Sequence, residues 1–366
     1  MKRTVNIINY CITMAITIVV LFCTVSLCSE VYGGELFDAV LRFAVGAILA
    51  GIICTFAHEL GHYFAGKKNG FAFSSMQVLF FKWEKVGKIV QFNLCMIGEQ
   101  AGFTEMIPTK LEDLEKSFKK MTTGGIIASF VLMIIGIPSL FLTEYLSVWA
   151  FSIWSMFITV GAYFFFGTFL PASEGHTLND GAVLYHINHN TDSSKVMINL
   201  LKIQAELFNG KTPSQIDEKL YFDLPQLPED DLNFALLLNA RYSYYLDKKD
   251  YDNANKMTDR LLSLEEYLPK SIYAVFLVDA LYNACTFNFD EEKADDILYE
   301  VDKYINNVNN STNVRAKIAY LLNVRRESEG VDIFFTKAYK EADRCQLKGL
   351  GIMERGLLDQ LKQLNN

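Results

Sequence analysis

No two of the seven cysteines form a CxxC pair. Cys11, Cys23, Cys28, Cys54, Cys95, Cys285 and Cys345 are scattered, most of them in apolar stretches, so they read as small fillers in a reducing compartment and not as a disulfide framework. Histidine is sparse too: all five lie before residue 190. Positive charge is short. With 34 Lys and Arg against 42 Asp and Glu, a net charge of −8, the chain offers no broad cationic surface for a phosphate backbone, and nucleic acid is not an expected partner.

What the chain does hold is segregated. It is 51% apolar yet 21% charged, a mixture that a uniform bundle of membrane spans would not show. The long apolar runs precede residue 190 and the excess of acidic charge follows it. The expected division is a membrane-embedded domain over 1–190, a linker with short helices over 191–228, and a cytoplasmic helical-repeat domain over 229–366.

Four stretches are long and apolar enough to cross a hydrocarbon core of about 30 Å: about Val5 to Cys28, Leu36 to Phe64, Gly124 to Phe141, and Leu146 to Leu170. The first is read as an uncleaved anchor, because its apolar run is long for a signal peptide and Leu27 before Cys28 does not suit a lipoprotein cleavage site. Lys2 and Arg3, Lys67 and Lys68, and Lys110, Lys116, Lys119 and Lys120 fall on one side of these spans, while Glu30, Glu35 and Glu144 fall on the other. The positive side is expected to be cytoplasmic, which places both termini there and makes the chain a multi-pass protein of the cell membrane.

Between the second and third spans the helical period fails. Phe71 to Trp83 and Gly87 to Cys95 are rich in Phe, Val, Ile and Gln, and Glu84 to Gly87 reads as a turn, so a membrane-associated β-hairpin is expected. Non-helical backbone at membrane depth needs protein cover or a cavity to line, and a strand edge there could hold an extended substrate.

The second span ends in His58, Glu59, Leu60, Gly61, His62, an HExxH pentapeptide behind the apolar run Phe43 to Ala57. Four residues of helix turn the chain through slightly more than one revolution, so His58 and His62 share a face and can ligate one Zn²⁺. Glu59 is then the base that takes a proton from the attacking water. Ionisable side chains within a bilayer cost about 2.5 to 3.5 kcal/mol each, and a cluster of three needs a compensating ion. A catalytic zinc needs a third protein ligand and one open position. Asp180, in the stretch Thr168 to Gly181, is the first choice, with Glu174 and His176 as competitors, and Asp180 could alternatively be the N-cap of a helix beginning near Ala182. His186, His189 and Cys54 are read as interfacial or packing residues without a metal role.

Taken together, HELGH in a span, the strand-like segment after it, the Gly124 and Gly125 opening of the next span, and the proline-preceded pair Asp180, Gly181 resemble the site-2 protease family of intramembrane zinc metallopeptidases over about residues 36–182. The resemblance implies His58, His62 and Asp180 as ligands of one catalytic Zn²⁺ and Glu59 as the catalytic base. The family usually has Asn three residues before the proline and a shorter gap to the Asp; here Thr168 stands at the first position and the gap runs from Pro171 to Asp180. Its third core span typically carries Gly-Pro and then Asn, where this chain has Gly125, Ile126 and Ser129. No insertion among the spans is long enough for a PDZ domain.

After residue 190 the pattern becomes a series of helix pairs: a run to about Leu246 opened by Pro228, then about Tyr251 to Leu264, Ile272 to Thr286, Glu291 to Ile305, Asn313 to Arg326, Val331 to Arg344, and Ile352 to Leu364. Tyr242, Tyr245, Tyr251, Ala254 and Leu261 are similar to a tetratricopeptide repeat, although the next comparable alanine, Ala294, follows at forty residues and not at about 34. The expected fold is therefore mainly α: a polytopic bundle with a short hairpin, then a soluble helical repeat. The expected activity is hydrolysis of peptide bonds in or near transmembrane segments of membrane proteins or hydrophobic peptide remnants. The competing reading is a membrane-anchored, inactive scaffold that binds a protein partner through the helical repeat.

Overall fold

A computed structural model describes residues 3–96, 101–174 and 177–364. The chain is mainly helical and divides into two compact units, one reaching to Asn190 and one from Thr191 onward that also takes in Val86–Ile89 and Ile107–Leu114.

The first unit is built on α1 (Arg3–Tyr32), α2 (Leu36–Lys68), α3 (Leu114–Gly136, prolonged by the 3-10 turn Ile137–Leu140) and α4 (Val148–Phe169). All four are long and apolar enough to cross a membrane, and their outward side chains, such as Val19, Phe22, Ile48 and Ile135, are exposed apolar surface of the kind lipid covers. α4 packs against both α1 and α2. Small residues permit that closeness: a Cβ on Gly46 of α2 would meet Ser152 O of α4 at 2.9 Å. Phe43, Ala50, Phe151 and Met156 fill the seam.

Between α2 and α3 lies a four-stranded sheet in the order β3-β2-β1-β4, from β1 (Phe71–Val78), β2 (Phe81–Val86), β3 (Ile89–Leu94) and β4 (Gly102–Pro108). This corrects the expected hairpin. The chain turns at Gly87, as its sequence suggests, but also earlier, at Leu79, whose φ of 54° is left-handed. Neither glycine nor asparagine marks that turn, so the apolar run Val78 to Phe81 conceals it; Val78 pairs back on Phe81 and Ser75 on Glu84. β4, which the apolar pattern did not flag, forms one edge of the sheet beside β1.

After α4 the chain makes a small antiparallel ladder, β5 (Ser173–Glu174) with β6 (Thr177–Leu178), and enters α5 (Asp180–Asn188).

The second unit contains α6 (Asp192–Phe208), α7 (Lys219–Phe222), α8 (Leu232–Asp247), α9 (Tyr251–Leu262), α10 (Lys270–Cys285), α11 (Glu291–Asn307), α12 (Ser311–Ala319), α13 (Val331–Arg344) and α14 (Lys348–Leu364). The 17-residue α6 is longer than the short helices expected before residue 229. Asp231, Asp250, Asp290 and Asn310 each cap the following helix by accepting a backbone N–H, which is why the polar breaks in the sequence are helix starts. Consecutive helices from α8 to α14 pack in succession, and α12 also rests on α10 and on α14. A π-helical turn, Tyr320–Val324, continues α12.

A charge cluster lies inside this unit. Arg315, 1% exposed, pairs with Glu354 through Nε to Oε2 at 2.9 Å and Nη2 to Oε1 at 3.3 Å. Its guanidinium stacks 3.7 Å over the Tyr282 ring, and Asp279 Oδ1 lies 3.7 Å from Nη2. Burial pushes the Asp279 carboxyl up to about 7, although Arg315 pulls the other way. Ser311 and Thr312 donate to Glu354. Removing one partner of a buried pair strands the other, so Glu354→Ala is expected to cost about 3 to 5 kcal/mol. Chemical denaturation followed by helical circular dichroism measures it, and a loss below about 1 kcal/mol would show that Asp279 takes over the pairing.

Candidate metal centre

α2 carries His58, Glu59 and His62 into the interior of the first unit, 7%, 5% and 8% exposed. Their four-residue spacing sets the imidazoles edge to face, with His58 Nε2 and His62 Nε2 3.1 Å apart. Asp180 Oδ2 lies 3.2 Å from each of those nitrogens. Ligand atoms on a tetrahedral zinc, at bond lengths of about 2.0 to 2.2 Å, are separated by about 3.3 Å or slightly more. The observed triangle is therefore close to one face of such a site. Asp180 Oδ2 is buried and makes no hydrogen bond. An orphaned carboxylate oxygen against two ring nitrogens costs several kcal/mol unless a cation joins them, so the three residues fit a metal ion.

The far sides of the rings are held by α3. His62 Nδ1 lies 3.0 Å from Met121 O, and since a carbonyl only accepts, the proton sits on Nδ1 and Nε2 presents a bare lone pair. His58 Nδ1 lies 2.9 Å from Ser129 Oγ. α3 can reach both because α2 and α3 touch backbone to backbone: a Cβ on Gly61 would meet Gly124 O at 2.4 Å. Ser129 stands in place of an asparagine in α3, and its hydroxyl makes this contact with His58.

Asp180 arrives from the opposite side. Asn179, and not Asp180, is the N-cap of α5, its Oδ1 accepting from Ala182 N at 2.9 Å. The same side chain accepts from Ala172 N at 2.9 Å and donates to Gly167 O at 2.6 Å and Leu170 O at 2.8 Å. It thereby ties the end of α4 to the start of α5 and leaves Asp180 free to face the histidines. Gly181 must lack a side chain, since a Cβ there would meet Phe169 O at 2.2 Å. The long interval between Pro171 and Asp180 is taken up by the β5–β6 ladder, and α1 holds it from outside: Asn9 Nδ2 donates to Pro171 O at 2.6 Å, and Asn6 Oδ1 accepts from Ser173 N at 3.1 Å. His176 and the side chain of Glu174 lie outside the described residues. Thr168, at the position of the absent asparagine, turns its hydroxyl back to Phe164 O at 2.8 Å.

Glu59 lies beside the triangle. Thr104 Oγ1 on β4 donates to Glu59 Oε2 at 2.6 Å and stands 3.2 Å from the Glu59 carbonyl. Gly102 lets the strand lie flat on the glutamate, where a Cβ would meet Oε1 at 2.7 Å. A cavity of about 620 Å³ opens onto these groups, with Tyr10, Met14, Phe103, Tyr163 and Phe164 among its walls. Neither Thr104 nor Asn179 stands out in the sequence. The Asn-Asp pair ahead of an apolar run is the one signal that could have found Asn179; an isolated threonine on an unexpected strand gives none.

His186, His189 and Cys54 stay apart from the cluster. His189 is exposed at the end of α5 with Nδ1 2.8 Å from Tyr185 O, and Cys54 is fully buried in α2. Among the described residues, His58, His62 and Asp180 are the one group of three that could hold a metal ion.

No curated protein and no solved structure matches the chain. Peptidase family M50 matches it over residues 46–325, a range that begins in α2 and includes all of the triangle and Glu59. Four helices able to span a bilayer, a histidine-histidine-aspartate triangle and that match agree, and the chain belongs to peptidase family M50, the site-2 protease family of membrane metallopeptidases.

Proposed function

We propose that this protein is an intramembrane zinc metalloprotease in which His58, His62 and Asp180 hold one Zn²⁺ and Glu59 is the catalytic base. The observation that carries this reading is the closed triangle of ligand atoms, 3.1 to 3.2 Å on each side, with an orphaned carboxylate oxygen at one corner. When bound, zinc supplies a Lewis acid and brings the pKa of water to near neutrality. Met121 O and Ser129 orient the imidazoles, and Asn179 anchors the start of α5, from which Asp180 projects. Glu59 takes the proton of the attacking water and returns it to the leaving nitrogen. Substrates are transmembrane segments of membrane proteins, or hydrophobic peptide remnants, that unwind locally, because a helical peptide bond is shielded by its own backbone. The termini are cytoplasmic and the membrane is the cell membrane. We read 229–366 as a tetratricopeptide-like repeat suited to a protein partner, with 1–190 as the peptidase domain and 191–228 joining them.

Metal analysis of the purified protein in detergent tests the ligand set. About one zinc per chain is expected, lost on chelation together with cleavage of a transmembrane reporter and restored by added zinc. Asp180→Ala should lower zinc affinity at least about 100-fold, and His176→Ala should leave it unchanged. The reverse pattern would make His176 the third ligand. A wild-type protein without zinc or cleavage would favour the scaffold reading.

A further inference from the structure

We propose that Thr104 is a positioning residue for Glu59, fixing which carboxylate oxygen meets the attacking water; this rests on the reading of Glu59 as the base. The HExxH helix leaves that choice open. Glu59 has a flexible side chain, and a helix interior fixes its backbone without fixing the rotation of its carboxyl group. β4 closes the choice. The Thr104 hydroxyl occupies Oε2 at 2.6 Å, inside the range of a hydrogen bond to a charged acceptor. Oε1 is then the oxygen left for water, and it rests against Gly102, where any side chain would displace it. Two residues of one strand thus hold the carboxylate on both sides.

β4 is an edge strand, and Gly102, Phe103 and Thr104 line the same cavity as His58, His62 and Asp180. The strand that walls the cavity is also the strand that orients the base, so a shift of β4 changes the direction of Oε1.

The test compares Thr104→Val, which keeps the shape and removes the donor, with Thr104→Ser, which keeps the donor and removes the methyl. Zinc content and thermal unfolding of both variants are expected to match the wild type. The infrared carboxyl band that Glu59→Gln removes should shift in Thr104→Val and keep its wild-type frequency in Thr104→Ser, a readout that needs no substrate. With a reporter bearing one transmembrane segment and a helix-breaking Gly-Pro pair, Thr104→Val should lose about 10- to 100-fold in kcat at unchanged KM, and Thr104→Ser should recover most of it. An unshifted band with full kcat in Thr104→Val would overturn the proposal, as would equal impairment of both variants, which would assign the effect to the methyl group. Cleavage surviving in Glu59→Gln would instead overturn Glu59 as the base; Glu59→Gln inactive beside a fully active Thr104→Val would defeat the positioning role alone.

Discussion

Glu59→Gln should retain zinc and lose cleavage, by about 10² to 10⁴ in kcat, the contribution usual for a positioned general base. The amide has the shape of the carboxyl group and can still accept the Thr104 hydroxyl, so the packing of β4 on α2 survives. What disappears is the capacity to take a proton from water. Zinc should stay because the three atoms that close the triangle belong to His58, His62 and Asp180. Metal content and single-turnover cleavage are the two measurements. Zinc lost along with activity would make Glu59 a ligand; zinc kept with full activity would place the base elsewhere in the cavity.

The part of the site that a helical period governs was legible in the sequence. His58 and His62 are four residues apart in an apolar run, and that spacing alone puts them on one face. Asp180 was harder, because 118 residues and two helices separate it from His62, and Glu174 and His176 offered similar chemistry nearby. Its chain neighbour Asn179 shows what positions it. A single amide that caps α5 and ties down Gly167 and Leu170 sets where α5 begins, and with it the place of Asp180, and such bonds leave no periodic trace.

The sheet shows a second limit. Strand composition exposed β1 to β3 as extended chain, but Leu79 turns with neither glycine, asparagine nor proline to mark it, so two strands read as one. β4 is hard to see in the sequence because its alternation is weak, with Thr104 and Glu105 between Phe103 and Met106. The residues best hidden in the sequence, Thr104 and Gly102, are the ones that touch the glutamate. The spans, by contrast, were plain from length and hydropathy, since lipid imposes a requirement on every residue of the stretch.

Gly125→Ala should abolish zinc binding while the bundle stays folded. A Cβ at this position of α3 would lie 2.3 Å from His62 Nε2 and 2.8 Å from His58 Cε1, inside any real contact distance. Relief by retreat of α3 is blocked on two counts. α3 is already seated on α2 at the Gly61 and Gly124 backbones, and moving it away would break the contacts of Met121 O with His62 and of Ser129 with His58. The imidazoles must turn instead, and turning them opens the triangle. Loss of outer contacts alone costs about 10- to 100-fold in metal affinity, so displacement of both ligand nitrogens should exceed that. Gly51→Ala on α2, where the added methyl meets nothing within 4 Å, is the control expected to keep zinc and cleavage. Zinc titration with a chelator of known affinity separates the two variants. Equal affinity in both would mean that the nitrogens facing Gly125 do not hold the ion, and a different pair of ring atoms would have to be sought.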